Sequence, residues 1–437
     1  MSPSAPKFRI GLPHRLWRWL PVAQRRRLLA RATALLAPRP ATSPPSAARG
    51  VAIAGELSCP SGLGESARLM IRAARAMGVP VWPVDIPPPT HWGRMHASLV
   101  GHPPPGVPLI LHVNAPVLPL ALLRLPRDLV HDRRIIACWA WELPSVPPEW
   151  HAAAPLVHEI WTPSRFTAAA IEPLKPNRVH VVPPALALAP PMPSALDRAA
   201  FGLPEHAVVV LVSFNLASSF ARKNPLAAIE AFRMAFGDRS DRVLVVKTCH
   251  ADHAPDDFAR IAQAARAPNI RVINQDLSGP DHHALTAASD IVLSLHRAEG
   301  FGLVPAEAML LGKPVVATGW SGNRDFMDLS NAELVDYRLV PAEDDRGVYR
   351  DALWAEPDIA DAAARLRRLV DQPDERARIG ARARESLLMK LNGEPLLVAL
   401  RSLGWNPPAE RRRNAPPALP VTRVMGRDKV LVTHDQS

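Results

Sequence analysis

The segment that most restricts the fold is residues 296–323, together with the short apolar run before it. This run and a second one enclose Gly300, Gly302 and Gly312. The runs are DIVLSL and PVVAT, and both have the composition of parallel strands that are covered on both faces. Pro305 suits the first turn of a helix and Gly312 suits a left-handed stop, so we predict a helix from Pro305 to Leu311. The segment therefore predicts strand, loop, helix and strand, and ligands bind at the carboxyl edge of such sheets.

Two carboxylates lie around this predicted helix. Glu299 precedes it and Glu307 lies within it, while Gly300 and Gly302 allow the backbone to approach an anion closely. The free N–H groups of a helix start favour negative charge, so a diphosphate attached to a hydroxyl-rich group fits this pattern. The alternative is that both glutamates are ordinary solvated charges.

The run EGFGLVPAEAMLLGKPVVAT resembles the paired-glutamate signature of the retaining nucleotide-sugar glycosyltransferases of family 4. The resemblance covers residues 50–395 and is dense from residue 205 onward. It implies an α/β fold of GT-B type, with two Rossmann-like domains that face each other across a cleft. It also implies that Glu307 binds the ribose hydroxyls and that Glu299 lies along the donor sugar. The diphosphate would then lie against residues 300–303 (Gly300, Phe301, Gly302 and Leu303).

A second anion site is predicted at Arg222 and Lys223, which stand at the entrance of a predicted helix from Ala227 to Phe236. A solvated pair of basic residues is the alternative. The run RKNPLAAIEAF is similar to the family block whose lysine meets the donor diphosphate, which assigns that role to Lys223. Many members also carry an arginine shortly after the preceding strand, and FNLASSFA has none. Either Arg222 compensates for this arginine, or the charge of the diphosphate is neutralised less completely.

The first half of the chain begins with the strand VAIAGEL and a turn that contains Gly62 and Gly64. We predict a helix from Glu65 to Met77 after this turn, ending at Gly78. A glycine pair alone indicates only a turn. The resemblance implies that this loop lies against the donor phosphates and the acceptor.

The acceptor side departs from the family pattern. Members commonly present a histidine after the strand that corresponds to RIIACWAWELP, whereas this chain has Glu142 there. Glu142 is a candidate catalytic residue that replaces the histidine, or else a structural residue in a branch of the family that binds its acceptor differently. Trp139 and Trp141 are either a platform for sugar stacking or core residues, and aromatic side chains in a buried strand favour the core. His112 and Asn114 are further candidates because they end the strand LILHVN.

Length and charge divide the chain of 437 residues into four predicted parts: a basic extension at 1–49, an acceptor-side domain at 50–195, a donor-binding domain at 196–400 and a basic tail at 401–437. Residues 1–49 hold ten Lys and Arg and no Asp or Glu, and the tail holds seven basic residues against three acidic ones. Residues 50–400 therefore carry a net charge of −3, which argues against a nucleic-acid-binding fold.

Residues 15–36 have leucines at helical spacing beside several arginines, which predicts a basic amphipathic helix. Such a helix either lies on an anionic membrane surface or packs on the protein itself. No apolar run reaches the roughly 20 residues that span a bilayer, and the odd number of distant cysteines does not suggest a disulfide framework. We therefore expect a cytoplasmic protein, peripheral on the inner face of the membrane if this helix binds lipid, and released by deletion of residues 1–45.

Metal ligands are not expected. His282 and His283 lie at a predicted helix start, have no partners at metal-binding spacing, and are interpreted as surface residues. We therefore expect no cofactor besides the nucleotide-sugar co-substrate.

The function implied by the resemblance is retaining, metal-independent transfer of a hexose or deoxyhexose to a glycan or lipid-linked acceptor in surface polysaccharide biosynthesis. Two alternatives remain at this point: a nucleotide-sugar 2-epimerase of the same fold, and a non-catalytic protein that binds sugar nucleotides or polyanions.

Overall fold

In the computed structural model of the chain, residues 19–59, 61–87, 97–344 and 347–405 are described. The basic tail beyond residue 405 and residues 1–18, which include the start of the predicted basic helix, lie outside the described residues. In the described part, no helix is both long and apolar enough to cross a membrane.

Two parallel sheets organise the described chain. The first has the strand order β3-β2-β1-β4-β5-β6-β7, and only its edge strand β3 is antiparallel to its neighbour. Its strands are β1 (Val51–Gly55), β2 (Val81–Asp85), β3 (Ser98–Leu99), β4 (Leu109–His112), β5 (Ile135–Cys138), β6 (Glu159–Thr162) and β7 (Val179–Val181). The sheet reverses its order between β1 and β4, which is the switch point at which doubly wound folds bind ligands.

The second sheet repeats this topology, with the order β10-β9-β8-β11-β12-β13 and parallel pairing throughout. Its strands are β8 (Val208–Ser213), β9 (Arg242–Thr248), β10 (Ile270–Asn274), β11 (Ile291–Ser294), β12 (Val315–Thr318) and β13 (Glu333–Val335). We call residues 50–195 the first lobe and residues 196–390 the second lobe. The predicted α/β fold with two Rossmann-like halves is thereby confirmed.

Helices connect the strands of both sheets. They are α1 (Val22–Leu36), α2 (Gly62–Ala76), α3 (Leu118–Arg124), α4 (Arg165–Ile171), α5 (Phe220–Lys223), α6 (Pro225–Phe236), α7 (Pro255–Ala264), α8 (Gly279–Ala288), α9 (Leu303–Leu310), α10 (Ile359–Asp371), α11 (Pro373–Lys390) and α12 (Glu394–Ser402). Short 3-10 turns occur at Arg127–Leu129, Pro148–Trp150, Ala154–Leu156, Glu172–Leu174, Ala251–His253 and Gly322–Asp325.

Two predicted helix starts were too late in the sequence. Helix α2 begins at Gly62 because the Ser61 side chain caps it, accepting a hydrogen bond from the Gly64 N–H at 3.0 Å. Helix α9 begins at Leu303, where Gly302 adopts a φ of +97° that glycine tolerates. Both predicted glycine loops therefore lead straight into a helix.

The two lobes exchange segments at their edges. A hairpin of β14 (Tyr337–Pro341) and β15 (Leu353–Pro357) extends from the second sheet, and its Trp354, together with the preceding Tyr349, packs into the core cluster of the first lobe. Helix α12 returns to the first lobe, where Leu396 and Leu400 pack in a cluster with β1 and β4. Cys59, Cys138 and Cys249 are each free.

Candidate active site

The signature loop after β11 is held in place by its neighbours on the second sheet. The Glu299 N–H donates to the Ser321 hydroxyl at 2.8 Å, and the Glu299 carbonyl accepts from the Gly322 N–H at 2.9 Å. A Cβ atom at Gly322 would lie 2.2 Å from the Gly300 carbonyl oxygen, so only glycine fits there. These contacts fix the backbone of Glu299 before any ligand binds.

The carboxylate of Glu299 is paired with both predicted cations. Lys223 Nζ contacts Glu299 Oε1, and Arg222 Nη1 lies 3.2 Å from Glu299 Oε2. The two cations occupy the last turn of α5, which Ser219 caps by accepting a hydrogen bond from the Arg222 N–H at 3.2 Å. The structure thus brings Lys223 and its neighbour Arg222 to Glu299, which lies 76 positions after Lys223 in the sequence.

This pairing determines the charge of Glu299. Burial would raise the pKa of the Glu299 carboxyl, but Lys223 and Arg222 outweigh it and lower the pKa to about 2. Glu299 is therefore an anion at neutral pH even though it is buried. A fixed negative charge of this kind can stabilise positive charge that develops on a nearby sugar.

Arg222 and Lys223 differ in what else they contact. Arg222 donates to the Ala298 carbonyl at 2.8 Å and to the Ser218 hydroxyl at 2.9 Å, and only 5 % of its side chain is exposed. Lys223 keeps 22 % of its side chain exposed. Arg222 is therefore committed mainly to protein groups, whereas Lys223 is the cation that an incoming anion can reach.

On the first lobe, Glu142 belongs to a packed cluster of polar and aromatic groups. Its Oε2 accepts from the Tyr349 hydroxyl at 3.0 Å, and its Oε1 lies 3.8 Å from Arg222 Nη2. The Tyr349 ring stacks on Trp141 with centroids 5.3 Å apart, and the Arg222 guanidinium lies 5.8 Å from the same ring. Glu142 thus lies within reach of the donor-side cations, and a tyrosine from the second lobe holds it there.

The two tryptophans near Glu142 are core residues, which confirms the packing interpretation. Trp139 and Trp141 are buried, and both rings contact Trp150 edge to face at 5.5 and 5.1 Å. The Trp141 indole also donates to the Ser145 carbonyl at 2.7 Å.

Gly300 allows the backbones of the two lobes to come close together. Its carbonyl accepts from the Ser164 hydroxyl at 2.6 Å, and a Cβ atom at this position would lie 3.2 Å from the Trp141 carbonyl. Thr167 donates to the Trp141 carbonyl at 2.7 Å. The missing side chain at Gly300 therefore makes room for the backbone of the first lobe.

The remaining predicted residues of this loop divide between core and helix start. Phe301 is buried against Phe326, with ring centroids 4.9 Å apart. Leu303 is the first residue of α9, so its N–H is among the free donors of that helix.

Glu307 lies on α9 beside a histidine. His283 Nε2 is 3.7 Å from Glu307 Oε1, and the protonated ring donates from Nδ1 to the Met192 carbonyl at 3.3 Å. Burial acts to lower the pKa of His283, but Glu307 and the Met192 carbonyl raise it, and Glu65 at the start of α2 acts in the same direction. The interpretation of His283 as a simple surface residue was therefore wrong, because it is half-buried and paired.

The glycines at the start of α2 have unequal roles. A Cβ atom at Gly64 would lie 2.4 Å from the Glu56 carbonyl, so the helix start packs tightly on the end of β1. A Cβ atom at Gly62 would meet nothing within 4 Å. Gly64 is thus a packing requirement, and Gly62 leaves open space at the helix start.

Two weaker candidates have structural roles. His112 Nε2 lies 3.4 Å from the Met70 sulfur, and burial lowers the pKa of His112 to about 3. The Asn114 side chain makes two hydrogen bonds of 2.9 Å to the backbone of Ala140. Asn114 therefore positions the strand end that carries Glu142.

Sequence reasoning missed Tyr349 and Lys247, and it gave His283 no role in the site. Lys247 is buried near the carboxyl end of β9, where burial lowers its pKa, and its charge in turn helps to lower the pKa of His282. A lysine within the apolar strand VLVVKTCH was the sequence feature that could have revealed it. Tyr349 lies in a connection without any motif. Within the described ranges, no group of three or more His, Cys, Asp and Glu side chains is placed to hold a metal ion.

Comparison with known proteins identifies the family and the fold. The family described as "Family 4 Glycosyltransferase in conflict systems" matches residues 166–392, which is more than half of the chain. The lipopolysaccharide core biosynthesis mannosyltransferase LpsB of Rhizobium meliloti (strain 1021) is 35 % identical over 96 residues, which are 22 % of this chain and 26 % of that protein. The chain thus matches about a quarter of the length of this curated relative.

Solved structures share the fold. HepE of Anabaena, solved in complex with UDP-glucose, is similar with a TM-score of 0.54 and 14 % identity, covering 81 % of this chain and 100 % of that one. Sucrose-phosphate synthase of Thermosynechococcus elongatus has a TM-score of 0.50 and 15 % identity, covering 68 % of this chain and 73 % of that one. With its signature loop, its two parallel sheets of Rossmann-like order and the family match over more than half its length, this chain belongs to the family 4 glycosyltransferases of conflict systems.

Proposed function

We propose that this protein is a glycosyltransferase that moves a hexose or deoxyhexose from a nucleoside-diphosphate sugar to a glycan or lipid-linked acceptor. The observation that carries the proposal is the buried Glu299 carboxylate, held by Lys223 and Arg222 at the carboxyl edge of the second sheet. An epimerase of the same fold would also need the donor site, but no second sugar substrate.

In the proposed reaction the donor diphosphate lies between Lys223 and the free N–H groups at the start of α9. The acceptor hydroxyl forms a bond to the anomeric carbon, the bond from that carbon to the diphosphate oxygen breaks, and the acceptor proton passes to the leaving diphosphate. Attack on the face that the diphosphate leaves gives retention of configuration. Glu299 stabilises the positive charge on the sugar, and Glu307 binds the ribose hydroxyls.

Metal independence is part of the proposal. Its support is that Lys223 and the helix start supply positive charge where the diphosphate would leave. Addition of EDTA should therefore leave turnover unchanged, whereas a loss of turnover restored by Mg²⁺ would contradict this part.

The first test is binding. A panel of nucleoside-diphosphate sugars should raise the melting temperature of the full chain, since a ligand that binds only the folded state stabilises it. Lys223→Gln should weaken binding of the best donor by about tenfold to a hundredfold, as expected for the loss of a charged hydrogen bond. Lys390→Gln is the matched control, because Lys390, the last residue of α11, is also paired with a carboxylate, that of Asp328. Equal binding by both variants would remove Lys223 from the donor site.

The second test is turnover with that donor. We expect nucleoside diphosphate to be released only when a glycan or lipid-linked acceptor is added. We expect NMR of the product to show a retained anomeric configuration. A free epimer formed from donor alone would favour the epimerase, and binding without any turnover would favour the non-catalytic alternative. The name of LpsB supports a test of lipopolysaccharide-type acceptors first, as expected for surface polysaccharide biosynthesis.

We also place the enzyme at the inner face of the membrane as a peripheral protein. The support is the basic N-terminal segment, in which residues 1–49 carry ten positive and no negative side chains. We expect to find the full-length protein in the membrane fraction, and we expect high salt to release it from there.

A further inference from the structure

An ordinary surface helix buries its large apolar side chains, whereas helix α1 exposes its leucines. Its small side chains face the protein: Ala30 and Ala37, the residue that ends the helix, are each only 5 % exposed. Its four leucines face outward, with exposures of 47 % at Leu28, 57 % at Leu29, 73 % at Leu35 and 73 % at Leu36. Burying leucine stabilises a fold much more than burying alanine, so this arrangement leaves the larger apolar contribution unused among the described residues.

These leucines form one strip along the helix. Leu28 and Leu35 are seven positions apart and share a face with Arg31, and Leu29 and Leu36 make the adjacent row. The position of α1 is fixed from both lobes, because α1 packs on α3 of the first lobe and Arg26 donates to the Gly347 carbonyl, in the connection between β14 and β15, at 3.3 Å. A contiguous apolar strip of this kind marks a contact site.

A basic groove of about 870 Å³ runs beside the strip. Four cations line it, namely Arg31, Arg39, Lys175 and Arg178, and none of the described residues that line it is acidic. Leu35 lines it as well, so the groove and the leucine strip are continuous. His158 adds no charge at neutral pH, because burial lowers its pKa.

The charges of the groove repel each other without an anion. Burial and the neighbouring Arg178 lower the pKa of Lys175, whose ammonium group donates to the Ala154 carbonyl at 3.1 Å. Arg31, Arg39 and Arg178 are exposed. A phosphate group bound among them would relieve this repulsion.

We propose that the leucine strip of α1 and the basic groove together form a docking surface for an anionic phospholipid bilayer. The leucines enter the interface between headgroups and acyl chains, and the four cations bind lipid phosphates. The inference rests on the peripheral membrane location proposed above and specifies the surface and the lipid charge. It is independent of the donor site, which is built from other residues.

Charge favours a bilayer over a second copy of the chain as the occupant. Residues 1–49 contain no acidic side chain, so a symmetric pairing through α1 would bring basic segments together. An anionic leaflet provides both the apolar layer and the negative charge.

The experiment is co-sedimentation of the full chain with vesicles of phosphatidylcholine alone or mixed with phosphatidylglycerol. Binding to the mixed vesicles that is lost at high salt is expected, with little binding to the neutral ones. Equal binding to both vesicles would overturn the role of the groove, and absence of binding to either would overturn the docking surface.

Two pairs of variants separate the strip from the groove. Leu35→Gln with Leu36→Gln should abolish binding, and Arg31→Gln with Arg178→Gln should weaken it about fivefold for each arginine. The matched controls are Leu329→Gln and Arg384→Gln, which are exposed positions on the second lobe and should bind as the parent does. Parental binding by the leucine or arginine variants would contradict the proposal.

Two further measurements on the same samples separate lost membrane binding from lost folding and from dimerisation. All of these substituted side chains are exposed, so the melting temperature and its rise with nucleotide sugar should be unchanged. Lost vesicle binding with retained donor binding would leave the glycosyl-transfer proposal standing. The contrary outcome is a dimer of the chain that forms in the absence of lipid. If Leu35→Gln with Leu36→Gln dissociates that dimer, the occupant of the strip is a second copy of the chain, and the bilayer proposal is overturned.

Discussion

The donor half and the acceptor half of the candidate site are built on different principles. On the second lobe, Glu299 is balanced by two cations, and Lys223 is partly open to an incoming ligand. On the first lobe, Glu142 is held by Tyr349, whose ring is enclosed between Trp141 and Arg222. The donor half therefore depends mainly on charge balance, and the acceptor half mainly on aromatic packing across the two lobes.

The comparison predicts its largest effect at Trp141. Trp141→Ala should lower the free energy of unfolding by about 3–5 kcal/mol, because it empties a buried space between Trp150 and Tyr349. Chemical denaturation measures the loss. Trp19→Ala is the control, since Trp19 is exposed. A similar small change in both variants would show that packing does not organise the acceptor half.

The next effect is expected at Glu299. Glu299→Gln should lower the free energy of unfolding by about 3 kcal/mol at neutral pH, because Lys223 and Arg222 lose their buried counter-charge. Turnover should also fall sharply, since the sugar loses its stabilising anion. The exposed Glu230→Gln is the control for both measurements.

The ion pairs of Glu299 with Lys223 and Arg222 also predict that the stability of the fold depends on pH in the acid range. The pKa of Glu299 is lowered in the folded state from 4.5 to about 2, so its stabilising contribution is present above 4.5 and is lost as pH falls toward 2. The stabilities of the parent and Glu299→Gln should therefore converge as the solution is acidified. A constant difference across this range would contradict the ion pair.

A smaller effect is expected from Tyr349→Phe. It keeps the ring stacked on Trp141 but removes the hydroxyl that donates to Glu142, which should lower the free energy of unfolding by about 1–2 kcal/mol. The chain has one other tyrosine, the exposed Tyr337, and Tyr337→Phe is the matched control. Identical stabilities of the two variants would remove the link between the hairpin and Glu142.

The smallest effect concerns His283. Its pKa is raised above the ordinary 6.5 by Glu307, so its stabilising contribution is fully present below 6.5 and is lost as pH rises through the higher folded value. His283→Gln should remove this part of the pH dependence of the melting temperature, and the exposed His206→Gln should leave it intact. An unchanged pH profile in His283→Gln would show that the pair with Glu307 is not formed.

Much of the second lobe was predictable because its strands are apolar runs with clear ends. The strands around the signature loop and the helix that carries Glu307 lie within a residue or two of the prediction. The start of α2 was missed by three residues, although Ser61 is a good capping residue, because the glycines were interpreted as a loop. The donor-side residues belong to a local motif, and a local motif can be identified from the sequence alone.

The acceptor half was less predictable. Glu142 was identified only through the absence of the family histidine, and nothing around residue 349 indicates that this tyrosine crosses to the other lobe. The leucine strip of α1 was visible as an amphipathic pattern, but its two interpretations could not be separated, because a helical pattern does not say which face the protein covers.

The amino-acid sequence by itself determined the alternation of strands and helices, the signature around Glu299 and Glu307, and the concentration of positive charge at the ends of the chain. These follow from neighbouring residues, whose spacing and polarity act locally. Only the tertiary structure decided that Arg222 is committed to protein groups, that Tyr349 holds Glu142, and that α1 turns its leucines outward. Such outcomes depend on contacts between residues far apart in the chain, and those contacts are set by how the lobes and helices pack together.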